Sequence, residues 1–526
     1  MLLNVDIFGS LLERNTNPEI TKIEYYERKF SVGETIESIL KVGGFLVEEG
    51  YAGGSIGVML PNIPEAIFAL YACAATGSVC NLINPRLPAL HLKKILLSTN
   101  TKVLFLYDAI YEKHKEILAE IGVKVVLCSP FYYRPLLKAL YLIKSFGNKS
   151  SYFEKVLKYK KCVPVVSDGK NAVAYIHSGG TTGEPKTAML SSYALNNLAN
   201  AILSTVHPDN TYDAERDAML MMLPIFHGFG LGVCAHTIAL SCRIVLEPRF
   251  LPGESVRLIK KHSITHLAGV PAMYRKMLGV KSLYDGRLKG IVNAFCGGDS
   301  LSGLVKEQFD RALKDAGSDA EIVEGYGLTE TASVVTVGIK GKTKPGSQGQ
   351  ALKGNEIRIY ENGNLCKDGE IGEIYVSAPS LMNGYLGDEN KNTVFIDGKE
   401  FLRTGDLGYL DGEGYLFYKE RRKRSIKIGA INVFPQEIER VARELEEVVE
   451  CCSARAYDKN GKPYIRLHLQ LADGVELTSS LENKIKKKIE REIVRYAVPK
   501  KFVLEKEIKR TQMGKIDFNY YEKKND

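Results

Sequence analysis

Over the first hundred residues helical and extended patterns take turns, and this alternation restricts the fold more than any other feature of the chain. Residues 31–49 repeat at the helical period, with Ile36, Ile39, Leu40, Val42, Phe45 and Leu46 on one side. Residues 55–60 form a short apolar run, Pro61 breaks it, and a second helix begins near Pro64. Residues 103–106 and 123–127 add two more strands. That rhythm implies an α/β fold built on a parallel, doubly wound sheet with helices on both faces. The longest uncharged run, from Ala66 to Pro85, contains Tyr71, Thr76, Gly77, Ser78 and Asn81. It is too polar for a membrane span and reads as a buried Ala-rich helix running into a strand.

At 526 residues the chain needs more than one core. Near Glu356 the pattern turns to β, with strands expected over 354–360, 372–376 and 414–418 between Gly and Asp turns. This suggests a distorted β-barrel joined to the large unit. The charged stretch 419–424 marks a boundary, and the hundred residues beyond it suffice for a small α+β domain. The expected division is 1–421 and 422–526. The start lacks a basic leader followed by an apolar stretch, so no secretory signal is expected. Ten cysteines occur without a CxxC pair, as suits a reducing cytoplasm. His262 and His266 are spaced for a metal, but Ser263 stands where a metalloprotease needs Glu, and a structural role is expected.

The net charge of +9 gathers at 134–161, 419–424 and 484–488, each expected to be a solvated face. No zinc finger, heptad-linked basic region or aromatic RNA-binding pattern points to nucleic acid. Residues 132–161 are basic and aromatic, with Leu136, Leu137, Leu140 and Tyr141 at helical spacing. A packed surface helix is the plain reading; an interfacial helix meeting a membrane is the sharper one.

Chemistry concentrates in four segments. Residues 174–186 run a strand into Ser178-Gly179-Gly180-Thr181-Thr182-Gly183, followed by Lys186. Glycines let backbone N–H groups approach phosphate oxygens, and hydroxyls and a lysine add donors and charge. Pro185 before the lysine excludes a Walker A loop. Residues 324–330 place Tyr326, Thr329 and Glu330 within a turn, a set able to stack a base, touch a phosphate and hold magnesium. Asp406 offers a carboxylate for ribose hydroxyls. Lys515 follows a glycine near the C-terminus.

In this order and separation the four segments resemble the adenylate-forming superfamily of acyl-CoA synthetases, carrier-protein adenylation domains and luciferases. The resemblance runs from Leu60-Pro61-Asn62 to Lys515, with Pro224-Ile225-Phe226-His227-Gly228 and Pro435-Gln436-Glu437-Ile438-Glu439 between. It implies that Ser178 to Gly183 and Lys186 hold phosphate, and that Tyr326 stacks on adenine beside Gly297, Gly298 and Asp299. Thr329 and Glu330 would contact phosphate and magnesium, with Glu330 the metal ligand, while Asp406 and Arg421 hold ribose. Lys515 would stabilise the adenylation transition state, and His227 would lie near the acyl carboxylate. The implied substrates are ATP with Mg2+, a carboxylic acid and coenzyme A, with Lys423 as the hinge of a mobile C-terminal domain.

Three positions depart from the family pattern: Thr187 for glycine, Glu420 for glycine before Arg421, and Ala430 for glycine on the side that receives the thiol. A separate acyl carrier protein is therefore the alternative acceptor, and a catalytically silent nucleotide or acyl binder the alternative of another class. No GxSxG elbow suggests a serine hydrolase. Gly228, Gly230, Gly232 and Gly298 near the expected acyl pocket offer either room for a bulky acid or close packing.

Overall fold

The computed structural model describes residues 4–133, 151–178, 186–206, 212–388, 392–428, 431–458, 462–493, 497–511 and 516–523. The periodic segments fold as their patterns require. Helix Val32–Glu48 starts at Ser31, whose hydroxyl accepts from the Glu34 N–H while the Glu34 carboxylate accepts from the Ser31 N–H. This reciprocal cap satisfies two of the helix's orphan donors. Ile39, Val42, Phe45 and Leu46 are buried as the period predicts. Strands Ser55–Met59, Val79–Leu82, Val103–Tyr107 and Lys124–Cys128 pair in parallel. Leu136, Leu137, Leu140 and Tyr141 lie outside the described residues.

Two large sheets share one core. Among the described residues an eight-stranded sheet is centred on the strands just named, and a nine-stranded sheet runs from Gln350–Ala351 through Ile322–Leu328 to Arg28–Ser31. The N-terminal strand Thr21–Tyr25 joins the second sheet, beside Arg243–Leu246. Helix Pro64–Ala75 lies between the sheets with every residue buried, and its alanines let neighbours approach. Asn62, just before it, ties the sheets together. Its amide donates to the carbonyls of Met221 and Leu223, at 3.0 and 2.9 Å, and its oxygen accepts from Ile225 N–H at 3.1 Å. No described helix is long and apolar enough to cross a membrane. All ten cysteines are unbridged.

Glu65, inside that helix, is fully buried, and neither carboxyl oxygen has a hydrogen-bond partner. Burial lifts its pKa to about 8, so the fold holds it protonated. A carboxyl whose folded pKa exceeds its unfolded one favours the fold fully below pH ~4.5, and that contribution is lost as pH rises through about 8. Glu65→Met should therefore flatten the decline of Tm between pH ~5 and ~8. At pH 8 it should raise stability by about 1–3 kcal/mol, the cost of an unsatisfied buried polar group.

A third sheet, antiparallel, carries Glu356–Glu361, Gly372–Ser377, Lys399–Leu410 and Leu416–Arg421. Beyond Arg421 the chain builds a separate core. Ile438 and Val441 of helix Pro435–Arg443 pack with Cys451, Ile465, Leu467 and Ile485 around the strands Val448–Tyr457 and Pro463–Leu471. This C-terminal part rests on the rest of the molecule through polar contacts. Arg275 donates to the carbonyls of Arg443 and Val449, Gln436 donates to Ser300 Oγ, and Arg443 lies 4.0 Å from Asp299.

The cluster 419–424 is the expected solvated face only in part: Arg421, Arg422 and Lys423 are exposed, while Glu420 is buried. Arg424 is half-buried, held between Glu420 (3.2 Å) and Glu439, with Phe518 over its guanidinium. Lys419 pairs with Glu437 at 2.5 Å. The charges follow one another in sequence, but the strand and the short 3-10 turn after it send them in different directions. Lys484 and Lys488 do lie on a surface helix, paired with Glu447 and Glu444. His262 and His266 are structural: His262 pairs with Glu24, and His266 Nδ1 lies 2.7 Å from Thr265 Oγ1.

Candidate active site

The expected site residues come together around one cleft of about 2930 Å³, lined by His227, Lys186, Tyr326, Thr329, Glu330, Asp406 and Arg421. Strands Ala172–Ser178 and Lys186–Ser191 are antiparallel, with Ser178 opposite Lys186. The glycine-rich segment thus joins two paired strand ends at the cleft. Gly179, Gly180, Thr181, Thr182 and Gly183 lie outside the described residues, as does Lys515. Of Lys515's surroundings, Thr511 and Ile516 line the cleft, and Arg510 bridges to Ile516.

Residues 324–330 do not form a single turn. Ile322–Leu328 is a strand, and Thr329–Thr331 is one 3-10 turn after it. Ala332 adopts φ +59°, a left-handed conformation costly for a residue with a Cβ. Buried Thr331 secures the reversal: its hydroxyl accepts from Leu328 N–H at 3.1 Å and donates to Ser333 O at 2.7 Å. The turn presents Thr329 and Glu330 to the cleft.

Asp406 and Arg421 are cross-strand partners, and Arg421 Nε lies 2.9 Å from Asp406 Oδ1. Tyr326 Oη donates to Asp406 Oδ2 at 2.6 Å, and the Tyr326 ring stacks against Tyr418 with centroids 5.7 Å apart. The buried carboxylate therefore fixes both a flat ring and a guanidinium at the cleft wall. Glu420, which replaces glycine, is buried and accepts from Arg421 N–H (2.9 Å) and Gln436 N–H (2.8 Å). Burial pushes its carboxyl up to about 7 even beside Arg424. Thr187, another departure, is also absorbed. Its hydroxyl lies 3.0 Å from His177 Nδ1, and His177 Nε2 lies 2.6 Å from Asn81 Oδ1. Ala430 lies outside the described residues.

Sequence reasoning missed Tyr385 and Asp388. Tyr385 Oη donates to Glu330 Oε1 at 2.6 Å, and its ring lies 4.6 Å from Lys186 Nζ, which pairs with Asp388 at 2.9 Å. Burial and the Glu330 carboxylate push the phenol's pKa up, keeping it a donor. A signal was present in Asn383-Gly384-Tyr385-Leu386-Gly387-Asp388, where Gly384 (φ +133°) and Gly387 (φ +73°) bracket the tyrosine. Tyr385→Phe should lower activity about tenfold and raise the magnesium concentration needed for half-maximal rate, because Glu330 loses its orienting donor. A magnesium titration of the variant checks this.

His227 occupies the N-cap position of helix Gly228–Ala239, its ring 4.7 Å from Phe226. The helix glycines serve close packing rather than acyl space. A Cβ on Gly228 would meet Thr329 Cα at 3.0 Å, one on Gly232 would meet Ser333 Cβ at 2.5 Å, and one on Gly230 would run into Pro224 O. Gly298 turns the chain at φ +80° ahead of Asp299, which faces Arg443 across the cleft. The donors facing the cleft near Glu330 are a carboxylate and hydroxyls, hard oxygens that suit magnesium. That ion is usually held by one or two carboxylates together with substrate phosphates, and no cluster of three metal-binding side chains is found among the described residues.

Comparison with known proteins gives this geometry its context. Residues 13–386 match the AMP-binding enzyme model, and residues 437–515 match the AMP-binding enzyme C-terminal domain. The chain is 30% identical to the long-chain-fatty-acid–CoA ligase of Bacillus subtilis, over 95% of this chain and 90% of that protein. It is 28% identical to the indoleacetate–CoA ligase of Aromatoleum aromaticum, over 95% and 94%. In fold it resembles an anthranilate CoA ligase solved with anthranoyl-AMP, with TM-score 0.87, 18% identity, and 99% and 97% coverage. The chain belongs to the AMP-binding enzymes. Its activity is that of an AMP-forming acid–thiol ligase.

Proposed function

We propose that this protein activates a carboxylic acid with ATP and passes the acyl group to coenzyme A. The observation that carries this is the convergence on one cleft of the Asp406–Arg421–Tyr326 cluster and the Glu330–Tyr385–Lys186 cluster. The first suits a nucleoside: Asp406 and Arg421 for ribose hydroxyls, Tyr326 for the base. The second suits phosphates, with Thr329 and Lys186 donating and Glu330 holding the metal. When bound, Mg2+ neutralises charge on the phosphate oxygens.

In the first half-reaction a carboxylate oxygen attacks the α-phosphorus and pyrophosphate leaves with the electrons of the broken P–O bond. Bringing two anions together is costly in water, so the chain's work is positioning and neutralisation. His227, at a helix N-terminus, would orient the acid, and Lys515 would bridge acyl and phosphate oxygens. In the second, a thiolate attacks the acyl carbonyl and AMP departs. We assign residues 1–421 to the nucleotide-binding unit and 422–526 to a small unit turning about Lys423.

Carboxylate-dependent exchange of pyrophosphate into ATP, paired with AMP release with and without coenzyme A, tests the reading. Exchange together with coenzyme A-dependent AMP release is expected. Exchange without any coenzyme A effect would transfer the acceptor role to a carrier-protein thiol. No exchange by folded, ATP-binding protein would leave a silent binder.

A further inference from the structure

The cleft does not end beside His227. It continues inward between helix Gly228–Ala239 and the nine-stranded sheet, along Phe229, Val233 and His236 on the helix and Met219, Ala268 and Phe295 on the sheet. The path has a clear origin in the packing. The helix comes within packing distance of strands Ala218–Met221 and Arg243–Leu246 on one side and of Ile322–Leu328 and Ser333–Val337 on the other. It stands back from His266–Gly269 and Asn293–Cys296, which lie between them in the sheet. Gly228 and Gly232, on the adjoining stripe of the helix, lie close against Thr329 and Ser333, and Ala268 keeps the sheet side of the gap low.

The walls are apolar until the far end, where His236 lines the channel. Its Nε2 lies 2.9 Å from Tyr212 Oη, and the Tyr212 ring packs 4.9 Å from the His266 ring. Of the helix residues that line the cleft, His236 is the last. His236 lies nine residue steps along the helix from His227, about 13 Å at the helical rise. An extended alkyl chain, with C–C bonds like those of the backbone, covers that distance in about ten carbons.

Building on the function proposed above, we propose that the acid is an unbranched, medium-chain alkyl carboxylate whose methyl end stops at His236, making Val233, Ala268 and His236 the residues that set chain length. Filling a preformed apolar channel favours each methylene by about 0.8 kcal/mol until the end is reached. A short aromatic acid would leave the inner half empty and forgo that contribution.

Pyrophosphate exchange across straight-chain acids from butyrate to octadecanoate, with benzoate and hydroxycinnamate alongside, should show an optimum near decanoate or dodecanoate. Val233→Phe, which plugs the middle, should move the optimum to butyrate or hexanoate, with about tenfold loss for dodecanoate. His236→Ala should move it to longer acids, and Tyr212→Phe, which leaves His236 in place, should not. Calorimetric binding of the same acids separates the two proposals. If no acid supports exchange yet dodecanoate binds wild type and not Val233→Phe, the channel stands and the ligase reading falls. An aromatic acid outperforming every alkyl acid, an optimum unmoved in Val233→Phe, or the absence of alkyl acid binding would overturn the channel.

Discussion

Replacing Lys515 by alanine is expected to lower the rate of acyl-adenylate formation by two to three orders of magnitude, about 2.7–4 kcal/mol, the usual cost of removing one donor to a developing oxyanion. Thioester formation from supplied acyl-adenylate should fall far less, because the charge that the lysine is proposed to neutralise would develop as pyrophosphate leaves. Single-turnover measurement of each half-reaction separates the two. Equal losses would mean that the residue secures the small unit rather than the transition state. Arg510, Thr511 and Ile516, around this position, already edge the cleft that holds Glu330 and His227.

Asp406→Ala should produce the second large effect, and on two quantities at once. The buried carboxylate is shared by the Tyr326 hydroxyl and the Arg421 guanidinium. Its removal orphans the phenol and leaves Arg421 without its counter-charge. Breaking a fully enclosed pair costs about 3–5 kcal/mol; with Arg421 half-exposed, about 2–3 kcal/mol is expected, read as a fall in Tm. The KM for ATP should rise by at least tenfold as well, since the ribose would lose the acceptor proposed for it. Asp406→Asn, close in shape, should recover more of the stability than of the ATP affinity. Matched recovery of both would reduce Asp406 to a structural role.

Much of this arrangement could be read from residues alone, for reasons that differ from place to place. Helix Val32–Glu48 announces itself because one face is buried and the cap is local, so period and capping box both lie within seventeen residues. The parallel strands were legible because each is a short apolar run between breakers. That Tyr326, Thr329, Glu330, Asp406 and Arg421 would share one cleft was legible because their residue types and spacing are those that phosphate, ribose and metal would demand. What stayed hidden depends on pairings distant in sequence. Ile23 lies opposite Ile244, and nothing near either residue reveals it. Tyr385 reaches Glu330 from a two-residue strand at the sheet edge, Gly384–Tyr385, which lies between the second and third of the four segments. The burial of Glu420 and half-burial of Arg424 follow from where the chain turns after Arg421, so a charged run looked like a wholly solvated surface. Nor could the helix glycines show whether they opened a pocket or closed a contact; only the positions of Pro224, Thr329 and Ser333 decide that.

The seat of the C-terminal part has a kinetic meaning. Arg275 on two carbonyls, Gln436 on Ser300 and Arg443 facing Asp299 are bonds that water or a counter-ion can replace almost one for one. An oily seat of equal area would grip and let go slowly; this one slips. The reorientation proposed for the small unit would then be a fast equilibrium biased by whichever substrate is aboard, and added salt would act on it as a lubricant.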